Sequence, residues 1–360
     1  MGNDMLWKID PHTEAKHAIL KRYLGGWLGK IGNAYPDLLY VDGFSGPGEY
    51  IDGEPGSPIV FLSLVDEMLR NNTMKKATVY AAFNDIDVPT LQHLKEQVEN
   101  RFSNLLSNPR VHVAFLNKDF EELFDELISR FPESGNFPAL IFIDPFGYKK
   151  LKMESLRKFM KNPHVELLIT LMDSYFRFET GNESARKTLR EVFGADDFQG
   201  ITDQVQLAHM FGANIVKDFK NGHFLTFQML NSTNRGLYHL VFVTRHPEGV
   251  AVMKDAMWSV DTSGSFRYYD RYSDIVSLSN FSRDYWVHDA VKAVQKRFAG
   301  KDVYVSEVKD FVLFETLFRP LMKTILDPLV KNGKVTVYAE MPDEDIRKGS
   351  YHLHYRLRFA

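Results

Sequence analysis

Tyr40-Val41-Asp42-Gly43-Phe44-Ser45-Gly46-Pro47-Gly48-Glu49-Tyr50 runs an apolar strand into an acid and a loop with three glycines. Residues without a Cβ take positive φ at little cost and let a nucleotide or nucleoside lie against backbone. A dinucleotide fingerprint reads Gly-x-Gly-x-x-Gly and opens a helix. Here the acid comes first and the glycines fall as Gly43-x-x-Gly46-x-Gly48, an order that argues against a nicotinamide dehydrogenase.

Three further segments continue the pattern. Residues 77–83 read as a strand ending in Asn84-Asp85, with a helix from about Thr90 to Phe102. An acid in that place can accept both ribose hydroxyls of a nucleoside. Residues 111–115 read as a strand leading into Asn117-Lys118-Asp119-Phe120, where a carboxylate can accept a hydrogen bond from an adenine amino group. Residues 139–143, Ala-Leu-Ile-Phe-Ile, suit burial on both faces of a parallel sheet and end in Asp144-Pro145-Phe146-Gly147-Tyr148. Four such strands, separated by amphipathic helices, predict an open α/β sheet with helices on both faces and a ligand at the carboxyl ends of its strands. Asp85 and Asp119 are equally placed to cap the helices after them, and Asp144-Pro145 to form a turn.

The acid-first glycine loop resembles motif I of class I S-adenosylmethionine (AdoMet) methyltransferases. The resemblance implies a Rossmann-like sheet, AdoMet as cofactor, and cofactor contacts from Asp42, Gly43, Phe44, Ser45, Gly46 and Gly48, with Asn84, Asp85, Asp119 and Phe120 beside them. Asp144-Pro145-Phe146 resembles the Asp/Asn/Ser-Pro-Pro-aromatic motif of amino-directed enzymes. That implies a catalytic trio in which Asp144 and the Pro145 carbonyl accept hydrogen bonds from the target amino group. An aromatic stacks on the extruded base. Phe146 and Gly147 replace the second proline and the aromatic, so Phe146 or Tyr148 would supply that face from a shifted position.

Residues 13–24 have apolar positions at helical spacing, with Thr13 as the expected cap and Lys16-His17 read by default as a solvated face. Yet Lys16-His17, Tyr40-x-Asp42 and Gly46 to Tyr50 together resemble the start of the bacterial large-subunit ribosomal RNA adenine-N6 methyltransferase J family. There the segment before the first strand closes over the cofactor, which adds Lys16 and His17 to the candidate cofactor residues. A closer resemblance covers most of the chain. Lys16-His17, Asp42 to Gly48 with Gly53 to Pro58, Phe142 to Gly147, and Leu237 to Pro247 with Met253-Lys-Asp-Ala-Met-Trp258 are similar to the three-Cys-motif partner (TcmP) family. It implies a bacterial, methyltransferase-like protein paired with a cysteine-bearing protein encoded nearby.

Composition bounds the rest. The 360 residues are 44% hydrophobic and 25% charged, as in soluble globular proteins of about two domains. No apolar run is long enough for a membrane span or a signal-peptide core, so a cytoplasmic protein without membrane contact is expected. Zero cysteines exclude disulfides, thiolate metal sites and a cysteine nucleophile, and no metal is expected. His352 and His354 read as paired surface histidines.

Residues 1–280 are expected to form the methyltransferase-like domain, with a substrate or lid insertion over about 172–235. Within it Tyr175, Phe176 and Arg177 line a pocket or join the core, and Arg245-His246, ending the strand at 237–244, is a candidate neighbour of the site. Residues 281–360 are expected to form a winged-helix-like α+β module of three helices and a hairpin. Net charge over the chain is −3, while this module carries 14 Lys or Arg against 11 Asp or Glu. Its expected recognition helix offers Arg319, Lys323 and Lys331 over an aliphatic set, Leu321, Met322, Ile325, Leu326, Leu329 and Val330, expected to be core. The function expected from all this is AdoMet-dependent methylation of an exocyclic amino group in nucleic acid. The alternative is a non-catalytic adaptor that serves the three-cysteine-motif protein or binds DNA through the module.

Overall fold

A computed structural model describes residues 6–130, 137–145, 151–172, 183–195, 198, 201–231, 235–261, 267–269, 279–339, 347 and 349–360. Of 183–186, 268, 269 and 279–286 the backbone alone is described. The chain divides into two compact units, Met1–Ala256 with Arg267–Asp270, and Met257–Phe266 with Arg271–Ala360.

The first unit is built on a mostly parallel sheet. Its strands are β1 (Asp37–Asp42), β2 (Thr78–Asn84), β3 (Val111–Leu116), β4 (Ala139–Ile143), β5 (Val165–Met172), β6 (His223–Leu230), β7 (Gly236–Thr244) and β8 (Arg267–Tyr269). They lie in the order β3-β2-β1-β4-β5-β7-β6-β8. The first five are mutually parallel, and β7 runs antiparallel to both β5 and β6. Every residue of β4 is buried, as its uninterrupted apolar run requires of a central strand.

The helices are α1 (Pro11–Ala34), α2 (Ser57–Arg70), α3 (Val88–Arg101), α4 (Ser103–Leu106), α5 (Phe120–Arg130), α6 (Met153–Phe159), α7 (Glu183–Phe193), α8 (Gln204–Val216) and α9 (Pro247–Val260). One face of the sheet carries α1 and α2, where Tyr40 stacks on Phe61 and the Tyr23 ring lies tilted 4.9 Å from that of Phe242. The other face carries α5 to α8, whose Phe120, Phe124, Leu156, Phe159, Leu189 and Phe211 share one core with alternate residues of β1, β4 and β5. Because the chain changes face between β3 and β4, the sheet's switch point lies between β1 and β4. In an open α/β sheet the crevice for a ligand opens there, beyond the carboxyl ends of the strands.

Helix α1 begins at Pro11 behind Asp10, since proline needs no hydrogen-bond partner at a first helical position. Thr13 therefore lies inside the first turn, not at the cap. Lys16 and His17, read by default as a solvated face, are both buried. In α9, Gly249 is required by packing, because a Cβ there would collide with the Glu166 carboxylate and lie 2.9 Å from the Thr244 hydroxyl.

The second unit contains α10 (Ser279–Phe298), β9 (Asp302–Tyr304), α11 (Val305–Asp310), one π-helical turn (Phe311–Glu315), α12 (Met322–Lys331), β10 (Val335–Tyr338) and β11 (Arg356–Phe359). Its strands form an antiparallel sheet ordered β10-β11-β9. Pro328 lies within α12 without ending it. Ile325, Leu326 and Leu329 are buried as expected, whereas Leu321 is exposed at the entry to the helix. His352 and His354 are exposed, their rings stacked 5.7 Å apart. Among the described residues no helix is long and apolar enough to cross a membrane, and no group of acids and histidines has the makings of a metal site.

Candidate functional site at the switch point

Two carboxyls face the switch-point crevice from adjacent strands. Asp42 ends β1 and pairs in register with Phe142 of β4, and Asp144 follows two residues later. Asp42 is fully buried, accepting from the Phe44 amide at 3.3 Å and the Tyr40 hydroxyl at 3.4 Å, with the Ser57 hydroxyl close by. Burial, with the Asp144 charge adding to it, pushes the Asp42 carboxyl up to about 7 against the pull of those three groups.

Asp144 takes the opposite course. Burial works against its ionisation, but the ion pair and hydrogen bond from Lys16 hold its carboxyl below the ordinary value. Lys16 reaches it from α1, and its ammonium also lies 5.5 Å from the Tyr238 ring centroid. Tyr238 comes from the start of β7 beside Met172 at the end of β5, and its hydroxyl donates to the His12 carbonyl at 3.0 Å. The amino-terminal helix and the antiparallel hairpin are thereby fastened around one carboxylate.

His17 lies next to this pair, its ring 5.7 Å from that of Tyr50. Its Nδ1 is buried without a partner. Burial first, then the neighbouring Lys16 charge, bring the imidazole down to about 4, so it is neutral at physiological pH.

The glycine loop has the conformation its composition predicts. Gly46 and Gly48 have φ of +59° and +86°, and a Cβ at Gly46 would meet open space. The Gly46 amide donates to Asp85 Oδ2 at 3.0 Å, while Asp85 Oδ1 accepts from the Asp87 amide at 2.9 Å. Gly43 is in contact elsewhere: its Cβ would stand 2.8 Å from Phe120, which packs between Phe44 and Phe124. Phe120 thus forms the floor beneath the loop, and Phe44 is partly buried above it.

Asn84 and Ser45 are committed to backbone. The Asn84 amide donates to the Gly43 and Lys118 carbonyls, each at 3.1 Å, and accepts from the Lys118 amide at 3.1 Å. Ser45 donates to the Asn84 carbonyl through its amide at 2.9 Å and its hydroxyl at 3.1 Å. These bonds lace the loops after β1, β2 and β3 together. Asp119 is exposed and accepts from the Glu121 amide at 2.9 Å, in the manner of a helix cap on α5. Pro145 is buried, while Phe146, Gly147, Tyr148, Tyr175, Phe176 and Arg177 lie outside the described residues.

Arg245 and His246 do not join the site. Because β7 is antiparallel, its end pairs with the beginning of β5, at the opposite edge of the sheet. Arg245 donates there to the Met160 and Lys161 carbonyls at 3.2 and 3.1 Å. The site neighbours not named from sequence are Tyr40, Tyr50, Ser57, Thr170 and Tyr238. The strand alternation that buries Tyr40 beside Asp42 was a usable signal, whereas the long-range neighbours had none.

No protein-family model and no curated protein matches this chain. Solved structures with a similar course of chain include three methyltransferase-related proteins. The methyltransferase domain of bacterial CtHen1-C shares 10% identity at a TM-score of 0.32, covering 62% of this chain and 97% of that one. The plantazolicin methyltransferase BamL, solved with a triazolic desmethylPZN analog and SAH, shares 9% at 0.34, covering 65% and 86%. A putative rRNA methylase from Clostridium thermocellum shares 11% at 0.33, covering 66% and 98%.

Proposed function

We propose that this chain is an AdoMet-dependent methyltransferase acting on an amino group, with an exocyclic amine of nucleic acid as the substrate class. The observation that carries the reading is the constellation at one switch point: an acid-first glycine loop with an open, positive-φ Gly46, an orphaned His17 Nδ1, and an ionised Asp144.

The open space over Gly46 and the unpartnered His17 nitrogen fit a nucleoside-bearing amino acid. Gly46 and Gly48 would leave room for its methionine portion, the unpartnered His17 Nδ1 would gain a polar partner, and Asp85 would take the ribose. When bound, the cofactor supplies an electrophilic methyl group. Asp144, kept charged by Lys16, is a strong hydrogen-bond acceptor for a neutral amine and would fix the direction of its lone pair, with the Pro145 carbonyl as the second acceptor. Lys16 acts through Asp144 as a positioning residue. We read the second unit's order of helix, strand, helix, helix and two paired strands as winged-helix-like and assign it a role in engaging nucleic acid, with Lys323 and Lys331 exposed on α12.

One observation favours a second reading. The Lys16 ion pair already occupies Asp144, as it would in a non-catalytic adaptor working with a three-cysteine-motif protein or a DNA site. Incubation with methyl-labelled AdoMet and total RNA or DNA decides between them. The enzyme reading requires label in nucleic acid, lost in Asp144→Ala; folded protein that binds AdoMet yet labels nothing supports the adaptor.

A further inference from the structure

At the amino-terminal edge of the sheet, opposite Asp42 and Asp144, a cavity of about 360 Å³ opens between α1, the start of β5 and α9. That volume falls at the lower end of the range of small-molecule sites. Its walls are apolar and aromatic, among them Trp27, Ile31, Tyr35, Pro138 and Val252.

Glu166 lines this cavity and is only 5% exposed. Its carboxylate accepts from the Tyr23 hydroxyl at 2.5 Å and the Thr244 hydroxyl at 2.6 Å, with the Trp27 side chain close by. Both donors are neutral, and among the described residues no cation pairs with it. Burial accordingly raises the Glu166 carboxyl, with those donors opposing. An acid buried in an apolar strand without a cation costs several kcal/mol. Glu166 is therefore poorly explained as a packing element.

The remaining polar groups point the same way. Lys30 at the rim is already paired with Glu248 at 2.9 Å. His164, beside the Tyr35 hydroxyl at 3.3 Å, is held toward its neutral form by burial and by His246 and Arg245. The cavity thus offers a carboxylate and aromatic faces and lacks a free cation among its lining residues.

We propose that this cavity binds a small planar aromatic cation, an amidine or protonated heteroaromatic amine, with its N–H groups on Glu166 and its ring against Trp27 and Tyr35. A carboxylate supplies charge-assisted hydrogen bonds and the aromatics supply cation–π attraction. The proposal is independent of the methyltransferase reading.

Calorimetric titration of the full chain with benzamidine, and with its neutral isostere benzamide, tests it. Benzamidine should bind saturably, and benzamide at least about tenfold more weakly. Glu166→Gln should weaken benzamidine by a similar factor, and Ala34→Trp, an exposed position at the mouth, should abolish it in a protein that unfolds like the wild type. Should Glu166→Gln not fold, benzamide and Ala34→Trp still decide. Absence of saturable binding, equal binding of benzamide, or full binding in Ala34→Trp overturns the proposal.

Discussion

The Lys16 ammonium is ion-paired with the Asp144 carboxylate across 128 positions of sequence, tying the amino-terminal helix to the end of β4. The pair sits near fully buried Asp42, so Lys16 holds the Asp144 carboxyl down while the Asp144 charge helps to push the Asp42 carboxyl up. Lys16→Met leaves Asp144 without its ammonium and should cost about 3 kcal/mol in urea-unfolding measurements. Adding Asp144→Asn to Lys16→Met should recover part of that loss, since the orphaned charge goes with it. A purely additive double mutant would contradict the coupling.

Asp42 sets a pH dependence. Its folded carboxyl keeps a proton up to about pH 7, whereas the unfolded one releases it near 4. The group's contribution to stability is present below the unfolded value and is lost as pH rises through about 7. Asp42→Asn removes that loss. Its stability relative to wild type should rise by a few kcal/mol between pH 4 and 8, measured by denaturant unfolding across the range.

His17 works in the other sense. Its folded value near 4 lies below that of the unfolded chain, so its neutral form favours folding above about pH 6.5 and that advantage disappears as pH falls toward 4. In that range His17 and Asp42 act in opposition, so His17→Gln should remove the rise and leave stability falling more steeply with pH between about 4 and 6.5. A limb unchanged by the substitution would show that the ring is solvated.

The glycines of the loop should separate by what each one touches. Gly56→Ala brings a Cβ within 2.9 Å of Gly48 backbone, which cannot rotate aside, and should destabilise by about 1–3 kcal/mol. Gly46→Ala meets open space and bears only the cost of positive φ, about 1 kcal/mol. Gly46→Ala should nonetheless impair AdoMet binding more than thermal stability, because the open space over it is where we place the ligand.

Much of this was legible in the sequence because strand ends announce themselves. The bounds of β4 coincide with its apolar run, and the acids at 42, 85, 119 and 144 fall at or just beyond the carboxyl ends of four adjacent parallel strands. What periodicity could not convey is the direction of each side chain once the loops fold back. Asn84 and Asp85 are neighbours, yet Asn84 turns inward to lace three loops while Asp85 turns toward Gly46. Phe120 follows Asp119 directly, yet becomes the floor under Gly43. Arg245-His246 was placed near the site from its strand alone, and the antiparallel sense of β7 carries it to the far edge. Glu166 drew no notice in its apolar strand, although one acid inside such a run is itself a signal.

Calorimetric titration of AdoMet and S-adenosylhomocysteine into wild type and Asp85→Ala is the most direct test of the switch-point site. The account predicts binding in the micromolar range for wild type and its loss in the variant, with Ala34→Trp, at the opposite edge, binding as wild type does. Folded wild-type protein that takes up neither ligand would contradict it.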